Sequence, residues 1–256
     1  MKNTSSLIIK IITVGLLVIF GLWAIIVKQN SVLKLLFPSK VWVHRVNSIH
    51  KLNNIGRNYR GIELDVEFDK AYNKFQVNHP PSKPIDLFLN TYLKKIDLDK
   101  KYWIDLKNLD STNSRQISTM LTILIDSLKL NKNNFIIESP NCKELPIINS
   151  TFNVSYYLPS YLTNLESSQK KTLSDSIKIN IKKYKPNYIS SSIVDYYYLR
   201  EEFDQHMILW ALSDLKINSL NDFITGTKSL KIKLTALMDD KVEVVLVTDL
   251  GEIGER

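Results

Sequence analysis

The chain has one cysteine in 256 residues, Cys142, which excludes an intramolecular disulfide framework and any cysteine-rich zinc site. It has only seven glycines, and no G-x-G-x-x-G or Walker-type loop among them, so a glycine cradle for nucleotide phosphates has no support. Acidic side chains are in deficit: 34 Lys plus Arg stand against 26 Asp plus Glu, for a net charge of +8. That balance permits contact with an anionic surface without demanding it, and with no nucleic-acid-reading motif present no nucleic-acid partner is expected. Internal repeats and low-complexity tracts are absent too.

Long hydrophobic runs are confined to one place. Ile11–Val27 is almost wholly apolar, and Leu7–Ile9 extend the run past Lys10. Together these approach the roughly 20 residues that cross a bilayer as a helix. The run exceeds a typical signal-peptide core and no small-x-small cleavage site follows it. Residues 1–6 therefore read as a short tail, 7–28 as a single transmembrane signal anchor, 29–39 as a juxtamembrane tether and 40–256 as the folded domain. Lysines flank the run on both sides, so the positive-inside count does not choose an orientation. A short tail before one dominant apolar segment places the following domain outside the cytoplasm, periplasmic or at the cell surface.

Beyond residue 40 the pattern alternates between strands and helices. Strands are expected at Lys40–Val46, Gly61–Asp69, Tyr102–Leu109, Asn134–Pro140, Phe152–Leu158, Tyr188–Val194, Met207–Ser213 and Val242–Thr248. Helical periodicity falls between them, at Asn47–Asn58, Ile85–Lys95, Ser114–Leu130, Cys142–Ile148, Ser167–Tyr184, Tyr197–Phe203 and Leu220–Leu230. Eight strand–helix units, the last helix missing or truncated, make an α/β fold closed as a (β/α)8 TIM barrel the leading architecture. An open doubly wound sheet is the alternative.

The polar residues then acquire a place, because barrel chemistry sits at the C-terminal ends of the strands. His44 lies near the end of the first strand and Glu63 and Asp65 on one face of the second. His79 follows that strand, Asp105 and Lys107 share a face of the third, Glu138 ends the fourth, Trp210 lies on the seventh and Asp249 ends the eighth. Read alone, Gly61–Pro81 is a half-buried hairpin with an acidic solvent face. Inside a barrel, Ile62, Leu64, Val66 and Phe68 face the helices and Glu63 and Asp65 point inward.

Buried carboxylates need a partner. A divalent cation such as Mg²⁺ or Ca²⁺ suits two carboxylates and a neighbouring oxygen, with Asp105 the third ligand and Asn47 offering a carbonyl oxygen. An Asp65–Lys107 or Glu63–Lys107 ion pair is the metal-free alternative. His44 and His79 bracket this cluster and titrate near neutrality, as acid–base groups do. His50 and His206 read as surface or packing residues, Glu67 and Asp69 as solvated, and the Lys170–Lys185 run as a solvated helix face. A glycosidase is disfavoured because Glu63 and Asp65 share one strand instead of flanking a substrate.

In order along the chain, HRVNS, GIELDVEFD, VNHPP and WIDLKNL resemble the glycerophosphodiester phosphodiesterase and phospholipase-like barrel superfamily. The branch most similar is the menorin family, whose second His is also followed by Pro-Pro, and the pattern is similar to that of spider-venom phospholipase D. The motif resemblance spans about Val41–Leu109. It implies metal ligands Glu63, Asp65 and Asp105, a catalytic His44–His79 pair and Lys107 on the phosphate oxygens. Arg45, Asn47, Glu138 and Trp210 are the accompanying substrate-binding candidates. The chain departs from the glycerophosphodiesterases where Val46, Asn47 and Ser48 follow the His-Arg pair in place of Gly, and where His79-Pro80 replaces their His-Asp.

The expectation is a membrane-anchored, metal-dependent phosphodiester hydrolase acting on a lipid-like or glycerophosphodiester substrate. The alternative is a catalytically silent barrel that binds a ligand or partner at the envelope.

Overall fold

A computed structural model describes residues 13–15, 21, 28–95, 99–210 and 219–248. Eight strands close into a parallel barrel in the order β1 (Val41–Val43), β2 (Gly61–Asp69), β4 (Lys101–Leu106), β5 (Phe135–Ser139), β6 (Asn153–Tyr157), β7 (Tyr188–Ser192), β8 (His206–Trp210) and β9 (Val242–Val247). β9 and β2 both pair with β1, which closes the ring and rules out the open doubly wound sheet. Strand β3 (Lys74–Val77) is an antiparallel addition to β2. It is there because β1 is short: β1 reaches only Ile62, and β3 takes the edge of β2 from Val66 to Asp69.

Alternation along the strands sorts side chains into two cores. Ile62, Leu64, Val66, Ile104, Leu106 and Ile137 face outward into the large core under the helices. Inside the barrel a smaller apolar cluster contains Trp42, Trp103, Ile136, Ile208, Val244 and Leu246. Gly61 makes room for it, since a Cβ there would lie 2.0 Å from the Trp42 ring. Each fully buried aliphatic or aromatic chain contributes about 1.5–3 kcal/mol of transfer free energy.

Two expected helices agree closely with observed ones, Ser114–Ser127 and Ser167–Tyr184, while the expected Ile85–Lys95 helix is only Leu89–Leu93. Its first residues are held otherwise, because the Leu87 carbonyl accepts from Val77 N and Phe88 bridges to Gln76.

The larger correction concerns 29–39, expected to be a tether. Gln29–Leu36 is a helix, α1, that belongs to the barrel shell. Its Leu33 joins the main core, and its Asn30 is buried between Thr248 O, 2.9 Å away, and Lys233 Nζ, 3.0 Å away. Lys233 lies on α8 (Leu220–Met238), the helix that precedes β9. At the other end of α1, Lys34 stacks over the Tyr59 ring at 4.8 Å. So α1 packs over β1 beside α8 and closes that part of the shell.

The expected anchor, 7–28, lies almost entirely outside the described residues. Among the described residues no helix is long and apolar enough to cross a membrane. Asp249 also lies outside them.

Candidate active site

The mouth of the barrel is assembled around the turn after β1. His44 N donates to Val247 O at 2.9 Å, continuing the ladder one residue past the strand. Arg45 then adopts φ 52°, the left-handed region that costs a non-glycine residue of order 1–3 kcal/mol and persists where the surroundings fix it. That geometry aims the Arg45 N–H at Glu63 Oε2, 2.6 Å away. The next turn is fastened by Val46 N to Glu63 O at 2.8 Å and by the buried Tyr92 hydroxyl to Val46 O at 2.6 Å. Asn47 closes the clasp: its Nδ2 donates to Asp65 Oδ2 at 2.7 Å and its Oδ1 accepts from Asp65 N at 2.9 Å. The Asn47 amide oxygen, expected to be available to a cation, is thus spent on holding Asp65.

Glu63, Asp65 and Asp105 each offer an oxygen within 4.8 Å of the others. Glu63 and Asp65 are almost fully buried, and Asp105 is partly so. Strand register produces the cluster, since Asp65 lies opposite Asp105 and Asp105 opposite Glu138. Lys107 Nζ pairs with Asp65 Oδ1 at 2.6 Å and with Asp105 Oδ2. The expected Asp65–Lys107 pair is therefore present, and Lys107 goes to Asp105 where Glu63 was the other candidate.

The electrostatics are those of a site with too much negative charge. Burial, reinforced by Asp65 and Asp105, pushes the Glu63 carboxyl well above the usual range. Burial and the Asp105 charge do the same to Glu138. Asp105 is raised by burial against the opposing pull of Lys107. Burial works against the Lys107 ammonium, but the Asp105 and Asp65 carboxylates outweigh it and raise its pKa. Three clustered carboxylate oxygens, one of them on a Glu63 that meets, among the described residues, the Arg45 backbone N–H and His44 Nε2 at 3.5 Å, are a donor set that fits a hard divalent cation.

His44 lines the same cavity, of about 170 Å³. Burial, with Arg45 beside it, lowers its pKa to about 3, so the imidazole is neutral at ordinary pH. His79 sits at the cavity rim, where an Arg45 guanidinium N–H meets its Nε2 at 2.8 Å. Because guanidinium only donates, His79 Nε2 is the acceptor and its ring proton is on Nδ1. Glu138 and Trp210 line the inner cavity, and Glu138 Oε2 and Trp210 Nε1 have no partner among the described residues.

Every site residue expected from the sequence within the described part thus reaches the mouth. Tyr157 was missed. It ends β6 and lines the cavity; its signal is parity, since Ser155 pairs with inward Glu138 and Tyr157 lies two residues on. Glu67, expected to be solvated, is half-buried and accepts from Asn78 Nδ2 at 2.5 Å. Exposed His206 pairs with Glu243 at the far end of the barrel, and Cys142 is buried, its thiol pushed up to about 12.

No family model matches the chain, and no curated protein matches it. Solved structures do. A protein of Agrobacterium tumefaciens provisionally named a glycerophosphoryl diester phosphodiesterase aligns with a TM-score of 0.55 at 10% identity, covering 82% of this chain and 93% of its own. The glycerophosphodiester phosphodiesterase of Thermotoga maritima aligns with a TM-score of 0.48 at 16% identity, covering 81% and 93%. The first of these establishes a shared barrel fold.

Proposed function

We propose that this chain is a metal-dependent phosphodiester hydrolase held at a membrane by residues 7–28. The observation that carries the reading is the convergence, at one barrel mouth, of three carboxylates, a lysine bonded to two of them, and two imidazoles that differ in environment. Glu63, Asp65 and Asp105 would hold a divalent cation, Mg²⁺ or Ca²⁺, and such a cation supplies charge neutralisation to the phosphoryl oxygens. Lys107 adds a fixed positive charge beside them. His44, half-buried, and His79 stand as the acid–base pair: one imidazole takes the proton of the incoming water as its oxygen bonds to phosphorus. The other, as imidazolium, gives a proton to the alkoxide oxygen as the bond from phosphorus to that oxygen breaks. Arg45, beside His79, offers a contact for the phosphate. Glu138, Tyr157 and Trp210 face the space a leaving group or headgroup would fill. The barrel fold shared with the Agrobacterium protein supports the same chemistry.

A second reading, a silent binding barrel, is favoured by one feature: Lys107 already satisfies Asp65 and Asp105 without a metal. Hydrolysis of a diester panel, including glycerophosphodiesters and bis(p-nitrophenyl) phosphate, separates the two. The proposed enzyme needs added divalent cation and loses activity in His44→Ala and His79→Ala. Turnover unchanged in both variants, or absent with every diester and every cation, removes the hydrolase reading.

A further inference from the structure

The direction of α1 fixes which end of the barrel receives the chain from the apolar run. Asn30, in the first turn of α1, bonds Thr248 O, one residue beyond the C-terminal end of β9. At the same level His44 N bonds Val247 O. The last turn of α1 lies at the opposite end: Lys34 is over Tyr59, which precedes β2, and Phe37 leads to Lys40, whose carbonyl accepts from Val245 N. Residue 28 is therefore at the active-site mouth, and the apolar sequence 11–27 joins the domain on that face.

The surface around the mouth has matching chemistry. A groove of about 800 Å³ opens beside the inner cavity and shares Arg45 and His79 with it. Arg45, Lys51 and Lys83 line the groove, no acidic residue does, and its edge carries Ile85, 59% exposed. Lys28 adds a further cation at the junction. Basic side chains beside an exposed apolar one, next to an apolar run, are the combination that sits at a lipid headgroup layer.

We infer that the barrel mouth faces the bilayer, with Arg45, Lys51, Lys83 and Ile85 against the headgroup layer, and that the substrate is a phosphodiester headgroup of a lipid in that same membrane. The orientation rests on residues 7–28 being a membrane span, and the substrate class rests on the phosphodiesterase reading. A short connection into α1 leaves little freedom for the domain to turn its mouth away. The bottom of the barrel offers a competing surface, since Leu35 and Leu36 at the far end of α1 are 80% and 59% exposed.

Depth measurements decide between the two ends. The full chain, in a Cys142→Ala background, is reconstituted in phosphatidylcholine–phosphatidylglycerol vesicles. An environment-sensitive dye is attached to Lys83→Cys, Ile85→Cys, Leu36→Cys or Arg60→Cys, the last two being exposed positions at the bottom. Nitroxide-headgroup lipid should quench the dye several-fold more at 83 and 85 than at 36 and 60. Equal quenching, the reverse order, or none anywhere overturns the orientation. In the same vesicles, hydrolysis is compared for a lipid-embedded diester and its water-soluble headgroup analogue, and preference for the embedded one is expected. The expected quenching with no hydrolysis of either leaves the orientation standing and removes the phosphodiesterase reading. Hydrolysis that prefers the soluble analogue removes the lipid substrate and leaves the phosphodiesterase.

Discussion

The barrel interior has two levels made from the same inward-facing register, and they are built to opposite rules. Below, Trp42, Trp103, Ile136, Ile208 and Val244 pack as an apolar plug. Above, Glu63, Asp65, Asp105 and Glu138 stand together with one lysine among them. On β2 the change occurs between Gly61, left small for Trp42, and Glu63, two residues later. The lower level stabilises the fold by burying surface. The upper one costs stability, because buried like charges repel, and a protein keeps such a cluster where a ligand compensates it.

The two levels should therefore fail differently. At the mouth, His44→Ala lowers kcat/KM by about 10²–10⁴-fold, the usual contribution of an acid–base group, with little change in Tm. In the plug, Ile208→Ala costs about 2–5 kcal/mol of stability, read by urea denaturation, with the diester specificity of the remaining folded protein unchanged. Gly61→Ala has a smaller effect of the same kind, about 1–3 kcal/mol, because the added methyl displaces the Trp42 ring. Glu63→Gln sharpens the contrast most: it stabilises the metal-free protein by about 0.5–2 kcal/mol while removing cation-dependent activity. A loss of stability in that variant would mean that Glu63 is part of the plug's economy and not the site's.

The pH dependence of the metal-free protein has a definite sign. Glu63 and Glu138 have raised pKa values in the fold, so the native state keeps protons that the unfolded chain has released. Stability therefore falls as pH rises from the ordinary carboxylate range towards those raised values. His44 acts the other way, but only between about 3 and the ordinary imidazole value, above which it is neutral in both states. Thermal melts above that range should show the carboxylate effect alone, and saturating divalent cation should flatten it.

The barrel was legible in the sequence because its signals are local. Strand alternation placed Glu63 and Asp65 inward, and the register of β2 with β4 did the rest. What was not legible depended on distant partners. The helix α1 has two polar residues on its buried face, Gln29 and Asn30, and reads as a tether until Lys233 and Thr248, more than 200 positions away, are brought to Asn30. Asn47 looked like a cation ligand because its bidentate clasp on Asp65 needs the left-handed Arg45 turn, which no local pattern announces. Tyr157 was hidden in a strand whose other residues gave no functional cue.

A cation on the mouth carboxylates is the central requirement of the proposed hydrolase. Titration calorimetry of the metal-free chain with Mg²⁺ and Ca²⁺ should give one site per chain, absent in Asp65→Asn and Asp105→Asn with the fold intact by circular dichroism. No heat of binding from either cation, or binding that survives both substitutions, would contradict it.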